Sequence, residues 1–268
     1  DAAGAAVWRP RGALVAHLAE HRKAVTSLAV ARGGAFVVSA SADGTAKVWG
    51  LRRLERDVTF ASRLTYAAQP GQLTAVAAVE DDAGVVTASD AGSLHVWRVE
   101  VAAALRRGGG GNGDAFAGVT ARRVLSPGLG AVLSLAAAGP NMLLYTTQRG
   151  GVHAWDLRTR GDAWRMAAPP AHGLLQHCVL RPDATLVAGG ACSWLLTGSS
   201  AGCVALWDCR FQLPVASWRH PAHAAVDALA LASAPRACLG LPTPANGAHT
   251  APLVYVAAGE NEVALWGA

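Results

Sequence analysis

Several short motifs in this chain carry side chains whose types and spacing could support catalysis or metal binding. The segment His17-Leu-Ala-Glu20-His21 fits the HxxEH pattern, in which two histidines bind zinc and a glutamate serves as the base. Ser200 lies in a GxSxG sequence, which exposes a nucleophilic serine only where a strand turns into a helix. The segments around both motifs have the alternating pattern of strands, so the helical requirement is not met. We therefore predict neither a zinc site nor a hydrolase.

Arginines offer a second kind of chemistry, the binding of anions or acidic partners. Arg106 and Arg107 lie in a Leu-Arg-Arg-Gly sequence that runs into a glycine-rich segment and resembles a phosphoinositide-binding motif. Two adjacent guanidinium groups can hold phosphate oxygens bidentately. Arg158 and Arg210 each end a Trp-Asp-x-Arg sequence and could contact a partner protein. The structural alternative is that these arginines are solvated in a loop or pair with a nearby aspartate.

Composition narrows the class of protein. The chain has 268 residues, 52% apolar and 15% charged, so it can bury a large core and is not disordered. No stretch reaches the roughly 18 apolar residues of a membrane helix. The five cysteines form no CxxC pair, which disfavours disulfides and zinc and favours a reducing compartment. The net charge of +5 comes mainly from scattered arginines, so the pattern does not favour nucleic-acid binding.

The elements that position these side chains come from an internal repeat. One phrase, a turn followed by an alternating strand and a tryptophan, occurs five times. Its tryptophans are Trp49, Trp97, Trp155, Trp207 and Trp266. A second run with apolar residues at every other position precedes each phrase, so each unit is predicted to be a small antiparallel sheet. Such sheets repeated radially form a β-propeller, and we predict an all-β fold with five blades.

The first unit resembles a WD40 blade most closely. In that family a histidine, a turn aspartate, a strand serine or threonine and the tryptophan form a buried hydrogen-bonded network. The residues that match this pattern are His21, Ser39, Ser41, Asp43 and Trp49. The resemblance implies a structural role for them. The later units depart from the pattern, for example with Ala91 in place of the turn aspartate, so we expect those blades to lack the complete network.

The repeat also sets the predicted organisation of the chain. We assign residues 1–268 to a partial WD40 propeller, with residues 101–131 and 233–251 as loop insertions. The last phrase ends two residues after Trp266, whereas a WD40 ring is commonly closed by pairing its two termini. We therefore expect five blades of a seven-bladed ring.

Longer stretches resemble one family in particular. They include SADGTAKVW, VHAWDLRTRGDAW and WDCRFQLPVASWRHP, and the RFQLP sequence is not required by blade geometry. The chain is similar to the C-terminal propeller of the protein-kinase-like, vacuolar sorting regulatory subunit of class III phosphatidylinositol 3-kinase. The resemblance implies a non-catalytic scaffold without cofactors, acting in endosomal sorting and autophagy. Its implied partners are the lipid kinase catalytic subunit and a Beclin-type coiled-coil subunit.

The resemblance further implies a cytoplasmic protein, peripheral on endosomal and autophagic membranes, which it reaches through the complex. Two alternatives stay open. The paired Trp-Asp-x-Arg boxes that end at Arg158 and Arg210 also resemble those of substrate receptors of cullin ubiquitin ligases. Arg106 and Arg107 would instead make the propeller a direct phosphoinositide binder. No metal and no nucleic acid are expected in any of these cases.

Overall fold

The computed structural model describes residues 14–31, 33–51, 60–79, 83–101, 116–126, 128–138, 141–149, 151–181, 194–232, 253–259 and 262–267. Within these ranges the chain forms nineteen strands and one short 3-10 helix, Pro170–His172. No helix in the same ranges has the length and apolar character needed to cross a membrane.

The strands form five antiparallel sheets in which neighbours along the chain pair with each other. Blade 1 contains β1 (Val25–Val30), β2 (Phe36–Ser41), β3 (Ala46–Gly50) and β4 (Leu64–Tyr66). Blade 2 contains β5 (Leu73–Val79), β6 (Gly84–Ser89), β7 (Leu94–Val101) and β8 (Phe116–Leu125). Blade 3 contains β9 (Val132–Ala137), β10 (Met142–Thr147), β11 (Gly151–Asp156) and β12 (Asp162–Met166). Blade 4 contains β13 (Leu175–Arg181), β14 (Trp194–Ser199), β15 (Cys203–Asp208) and β16 (Leu213–Arg219). Blade 5 contains β17 (Val226–Leu231), β18 (Leu253–Ala258) and β19 (Glu262–Gly267).

The five repeated tryptophans occupy equivalent positions. Each lies on the third strand of its blade, opposite an aliphatic residue of the second strand. The pairs are Val37 and Trp49, Val85 and Trp97, Leu143 and Trp155, Leu195 and Trp207, and Val254 and Trp266. The predicted all-β propeller with five blades is confirmed.

The inner strands of successive blades pack against one another: β1 on β5, β5 on β9, β9 on β13, and β13 on β17. Hydroxyl groups join these strands across the blade boundaries. Thr26 Oγ1 donates to the Leu73 carbonyl at 2.8 Å, and Thr74 Oγ1 donates to the Val132 carbonyl at 2.6 Å. Because both bonds cross from one sheet to the next, they fix the spacing of the inner strands.

The apolar core consists of clusters between blades. Trp97 of blade 2 joins a buried cluster that contains Phe36 and Val48 of blade 1. Trp155 in the same way joins residues of blade 2, and Trp207 joins residues of blade 3. Fully burying one large apolar side chain contributes about 1.5–3 kcal/mol. The repeated tryptophans of blades 2 to 4 therefore hold each blade to the one before it.

Equivalent apolar residues on different blades show which surfaces the packing between blades covers. Leu28 on β1 is 66% exposed, whereas Val76, which occupies the same place on β5, is 6% exposed. Val263 on β19 is 68% exposed, whereas its counterpart Ala46 on β3 is fully buried. In each pair the buried member lies against an adjacent blade.

The predicted insertion at residues 101–131 differs from the structure in one respect. Residues 116–125 form β8, the outermost strand of blade 2, which pairs with β7 along its length. Two register shifts in this pairing break the alternation of apolar residues, and Arg122 and Arg123 give the strand a polar, edge-like composition. The pattern therefore resembled a loop. Residues 102–115 and 233–251, and with them Arg106 and Arg107, lie outside the described residues.

Candidate functional site

The predicted blade 1 residues form a continuous hydrogen-bonded chain. Trp49 Nε1 donates to Ser39 Oγ at 2.8 Å, and Ser39 Oγ lies 2.7 Å from His21 Nε2. His21 Nδ1 lies 3.0 Å from Asp43 Oδ2. If the proton of His21 is on Nδ1, facing the carboxylate, Ser39 donates to Nε2 and every group in the chain is satisfied.

The turn around Asp43 completes this network. Asp43 also accepts hydrogen bonds from the backbone N–H of Arg22, at 3.0 Å, and from the backbone and hydroxyl of Thr45, at 2.9 and 2.6 Å. Ser41 Oγ accepts from the Asp43 backbone and donates to the Lys23 carbonyl. Burial alone would raise the pKa of Asp43, but these donors outweigh it and hold the pKa well below its usual range.

The order Ser39, His21, Asp43 has the connectivity of a Ser-His-Asp catalytic triad. Ser39 is only 4% exposed, however, and its oxygen already accepts the indole N–H of Trp49. A nucleophile needs a free approach to a substrate carbonyl, which this buried serine lacks. The group therefore fixes the blade and performs no acyl transfer.

Glu20 of the HxxEH motif and Ser200 of the GxSxG motif both make structural hydrogen bonds. Glu20 accepts hydrogen bonds from Ser62 and from Lys47 Nζ, the latter at 3.0 Å. Partial burial raises the pKa of Glu20, but these bonds outweigh it and lower the pKa to about 2. Among the described residues no group of three His, Cys, Asp or Glu side chains could hold a metal. Ser200 lies in the turn between β14 and β15, where its Oγ accepts the Leu174 N–H at 3.0 Å.

Blade 2 builds an equivalent network from different residues. Gln69 precedes Thr87 by 18 positions, the same separation as between His21 and Ser39. The Gln69 carbonyl accepts from the Thr87 hydroxyl, and Trp97 Nε1 donates to that hydroxyl at 3.2 Å. Gln69 does not stand out in the sequence, because the WD40 pattern has a histidine at this position. Its separation of 18 positions from the strand hydroxyl, which is the same as in blade 1, is the signal that identifies it.

Blade 3 replaces the strand hydroxyl with a tyrosine. Tyr145 donates to Asp162 at 2.6 Å and stacks on His153, which lies 2.9 Å from the same carboxylate. Burial and the neighbouring Asp162 raise the pKa of Tyr145 well above its usual range. The Tyr145 hydroxyl is bonded to Asp162, and Trp155 Nε1 donates to the Thr159 carbonyl at 3.2 Å. This bond anchors the turn that follows β11.

Arg158 and Arg210 pair with the aspartates of their own boxes. Arg158 donates through Nε and Nη2 to Asp156, with the Nη2 bond at 2.7 Å, and Arg210 binds Asp208 in the same way. The Arg158 hydrogen bonds lower the pKa of Asp156 to about 2. Both arginine side chains remain exposed, by 71% and 54%. They are therefore fixed in orientation, on two different blades, and accessible at the surface.

The chain is similar to known WD40 and VPS15 proteins. The WD40 family, described as WD domain, G-beta repeat, matches residues 12–50. The chain is 36% identical over 97% of its length to the serine/threonine-protein kinase VPS15 of Arabidopsis thaliana. It is 35% identical over 79% of its length to the probable serine/threonine-protein kinase vps15 of Dictyostelium discoideum. A putative VPS15 kinase of Komagataella pastoris is 26% identical over the same share.

The chain spans only a small part of these relatives, 17% of the Arabidopsis protein and 10% of the Dictyostelium protein. The matched region is their WD-repeat part and not their kinase part.

Proposed function

Because this chain is a non-enzymatic WD40 propeller of the VPS15 type, we propose that it serves as a protein-binding scaffold in the regulatory subunit of a class III phosphatidylinositol 3-kinase complex. The observation that carries this proposal is the similarity to VPS15 along nearly the whole chain, at 36% identity. The matched region spans 97% of the chain and therefore includes the segments between the strands as well as the strands.

The geometry supports scaffolding through rigidity. The inner strands are joined by side-chain hydrogen bonds, and the turns of blade 1 are held by the His21 network. Loops on a rigid array of packed blades present side chains in fixed positions, which lowers the entropy lost on binding. The groups with catalytic connectivity, such as Ser39, are buried, whereas arginines such as Arg158 are accessible.

The proposed partners are the lipid kinase catalytic subunit and a Beclin-type coiled-coil subunit. The proposed setting is the cytoplasm, on endosomal and autophagic membranes, where the complex acts in sorting and autophagy. The propeller reaches the membrane through its partners in this proposal, and it needs no lipid site of its own.

The test is affinity purification of the intact protein from cells, followed by mass spectrometry. We expect a phosphatidylinositol 3-kinase and a Beclin-like subunit in the wild-type sample. Recovery of a cullin adaptor without a lipid kinase would contradict the proposal and favour a substrate receptor.

A pair of variants sharpens this comparison. Arg158→Ala with Arg210→Ala removes both exposed box arginines. Because their partners Asp156 and Asp208 are largely buried, the melting temperature of this variant is measured beside that of its control. The matched control is Arg149→Ala with Arg165→Ala, two exposed arginines elsewhere on blade 3. A scaffold of the lipid kinase keeps its partners in both variants, whereas a cullin receptor loses its adaptor only in the first.

A further inference from the structure

A basic pocket lies where the outer strand of blade 2 meets blade 3. Its volume is about 430 Å³, and it is open to solvent between β8 and the turn that connects β11 to β12. The lining residues are Arg123, Val124, Trp155, Arg158, Thr159 and Arg160. Half of the lining side chains are thus arginines, contributed by two blades.

The turn that carries two of these arginines is rigid. The Arg158 and Thr159 backbone N–H groups both donate to Asp156, each at 2.9 Å. Thr159 Oγ1 donates to the Gly161 carbonyl at 3.0 Å, and Trp155 Nε1 closes the turn from inside. Arg158 and Arg160 therefore extend from a fixed backbone. A ligand that binds here orders side chains only, which reduces the entropy lost on binding.

The charge of the pocket is only partly compensated. Asp156 forms a bidentate pair with Arg158, at 2.7 Å for its closest contact. Within the described part of the chain Arg123 and Arg160 form no salt bridge, although Arg123 lies near enough to Asp156 to help lower the pKa of that carboxyl. About two positive charges therefore remain, which matches the charge of about −1.5 to −2 on a phosphomonoester at neutral pH. Guanidinium groups bind phosphate oxygens bidentately, so their chemistry matches as well.

Two further features favour a protein segment as the carrier of the phosphate. Val124 lines the pocket with 60% of its surface exposed, and can contact an apolar side chain next to the phosphorylated residue. β8 is the last strand of its sheet, so one edge of its backbone pairs with no other strand of blade 2. An extended peptide can form backbone hydrogen bonds along such an edge. A free phosphate ion or a lipid headgroup would use neither feature.

We propose that the pocket between β8 and the β11–β12 turn binds a phosphorylated serine or threonine in an extended segment of a partner protein. This inference goes beyond the scaffold proposal and does not depend on the lipid kinase as partner. It assigns to Arg123 and Arg160 the role of phosphate ligands. Val124 and the free β8 edge contact the residues on either side of the phosphate.

The experiment measures binding of the intact protein to an immobilised peptide library. Each peptide carries one central phosphoserine or phosphothreonine with varied flanks, and the same library after phosphatase treatment is the first control. Inorganic phosphate serves as competitor. Vesicles of phosphatidylcholine with a phosphatidylinositol phosphate form a separate arm.

The variant is Arg123→Glu with Arg160→Glu, and the control is Arg149→Glu with Arg165→Glu, which has the same change in charge outside the pocket. We expect phosphate-dependent peptide binding that weakens roughly ten-fold or more in the pocket variant and changes less than about two-fold in the control. Equal melting temperatures of the two variants show that the loss is local.

Three results would overturn the inference. They are peptide binding that ignores phosphorylation, binding that survives in the pocket variant, and binding to vesicles or inorganic phosphate without binding to any phosphopeptide. None of them bears on assembly with the lipid kinase, which the affinity purification tests separately.

Discussion

Replacing Asp43 with asparagine tests whether this one turn carboxylate holds the hydrogen-bonded network of blade 1 together. Asparagine has nearly the same shape but carries no charge. It can keep one acceptor toward Thr45, while its NH₂ group then faces the N–H donors of His21 and Arg22. The substitution therefore removes two hydrogen bonds to a charged, nearly buried group.

The magnitude follows from those two bonds. The Asp43 side chain is 10% exposed, and a hydrogen bond to a charged group contributes about 1.5–3 kcal/mol. We expect Asp43→Asn to destabilise blade 1 by about 3 kcal/mol, which corresponds to roughly a hundred-fold increase in local opening. Asp90→Asn is the control, because exposed Asp90 accepts a single bond from the Gln72 N–H that asparagine can also accept. Its expected cost is about 0.5 kcal/mol.

Hydrogen exchange with mass spectrometry resolves this effect by blade in the intact protein. Peptides from residues 20–50 should exchange faster in Asp43→Asn, whereas peptides from blades 3 and 4 should not change. The pKa of Asp43 is lowered by folding, so its stabilisation is present above the ordinary value of 3.8 and is lost as the pH falls below it. The wild type and the variant should therefore converge in acid.

Two results would refute this reasoning. The first is an effect of Asp43→Asn on exchange in blade 1 that is no larger than the effect of Asp90→Asn on exchange in blade 2, where Asp90 lies. The second is a difference between the wild type and Asp43→Asn that persists unchanged as the pH falls.

Three other predictions concern single residues. Gly92→Ala should cost more than about 2 kcal/mol in a denaturation experiment, because φ is +79° and a Cβ would lie 2.6 Å from a carbonyl oxygen, whereas Gly34→Ala, in open space, should cost about 1 kcal/mol. Folding lowers the pKa of Glu20 to about 2, so the wild type loses part of its stability as the pH falls from about 4.5 to about 2. Glu20→Gln should not show this loss, and identical pH profiles of stability in the two proteins would contradict the prediction. Cys178, whose thiol pKa burial raises to about 11, should react with iodoacetamide only after unfolding, and rapid labelling of the native protein would exclude this placement.

The blades were predictable from the sequence because their signals are local. A turn, an alternating strand and a tryptophan occur within about ten residues of each other, and the five repeated tryptophans all lie on third strands. The outermost strand β8 was missed since an edge strand is not buried on both faces and needs no apolar alternation. Its polar residues, among them Arg122 and Arg123, match a loop equally well.

The candidate site was less predictable because it depends on packing between blades. Arg123 and Arg160 line one pocket only because β8 of one sheet lies beside a turn of the next. Gln69 takes the place of a histidine because the network requires an acceptor at a fixed position and not a particular residue type. Both features follow from the positions of atoms in space, which a repeat pattern does not specify.

The orientation of the repeated tryptophans also bears on how the chain is made. Trp97, Trp155 and Trp207 each pack into a cluster with the blade that precedes them in the chain. During translation the preceding blade leaves the ribosome first, so each new tryptophan meets a surface that already exists. Folding of one blade onto the last can then keep pace with synthesis. The apolar face of a folded blade is then exposed to solvent only until the next fifty or so residues have been synthesised. This takes a few seconds at about 5–20 residues per second.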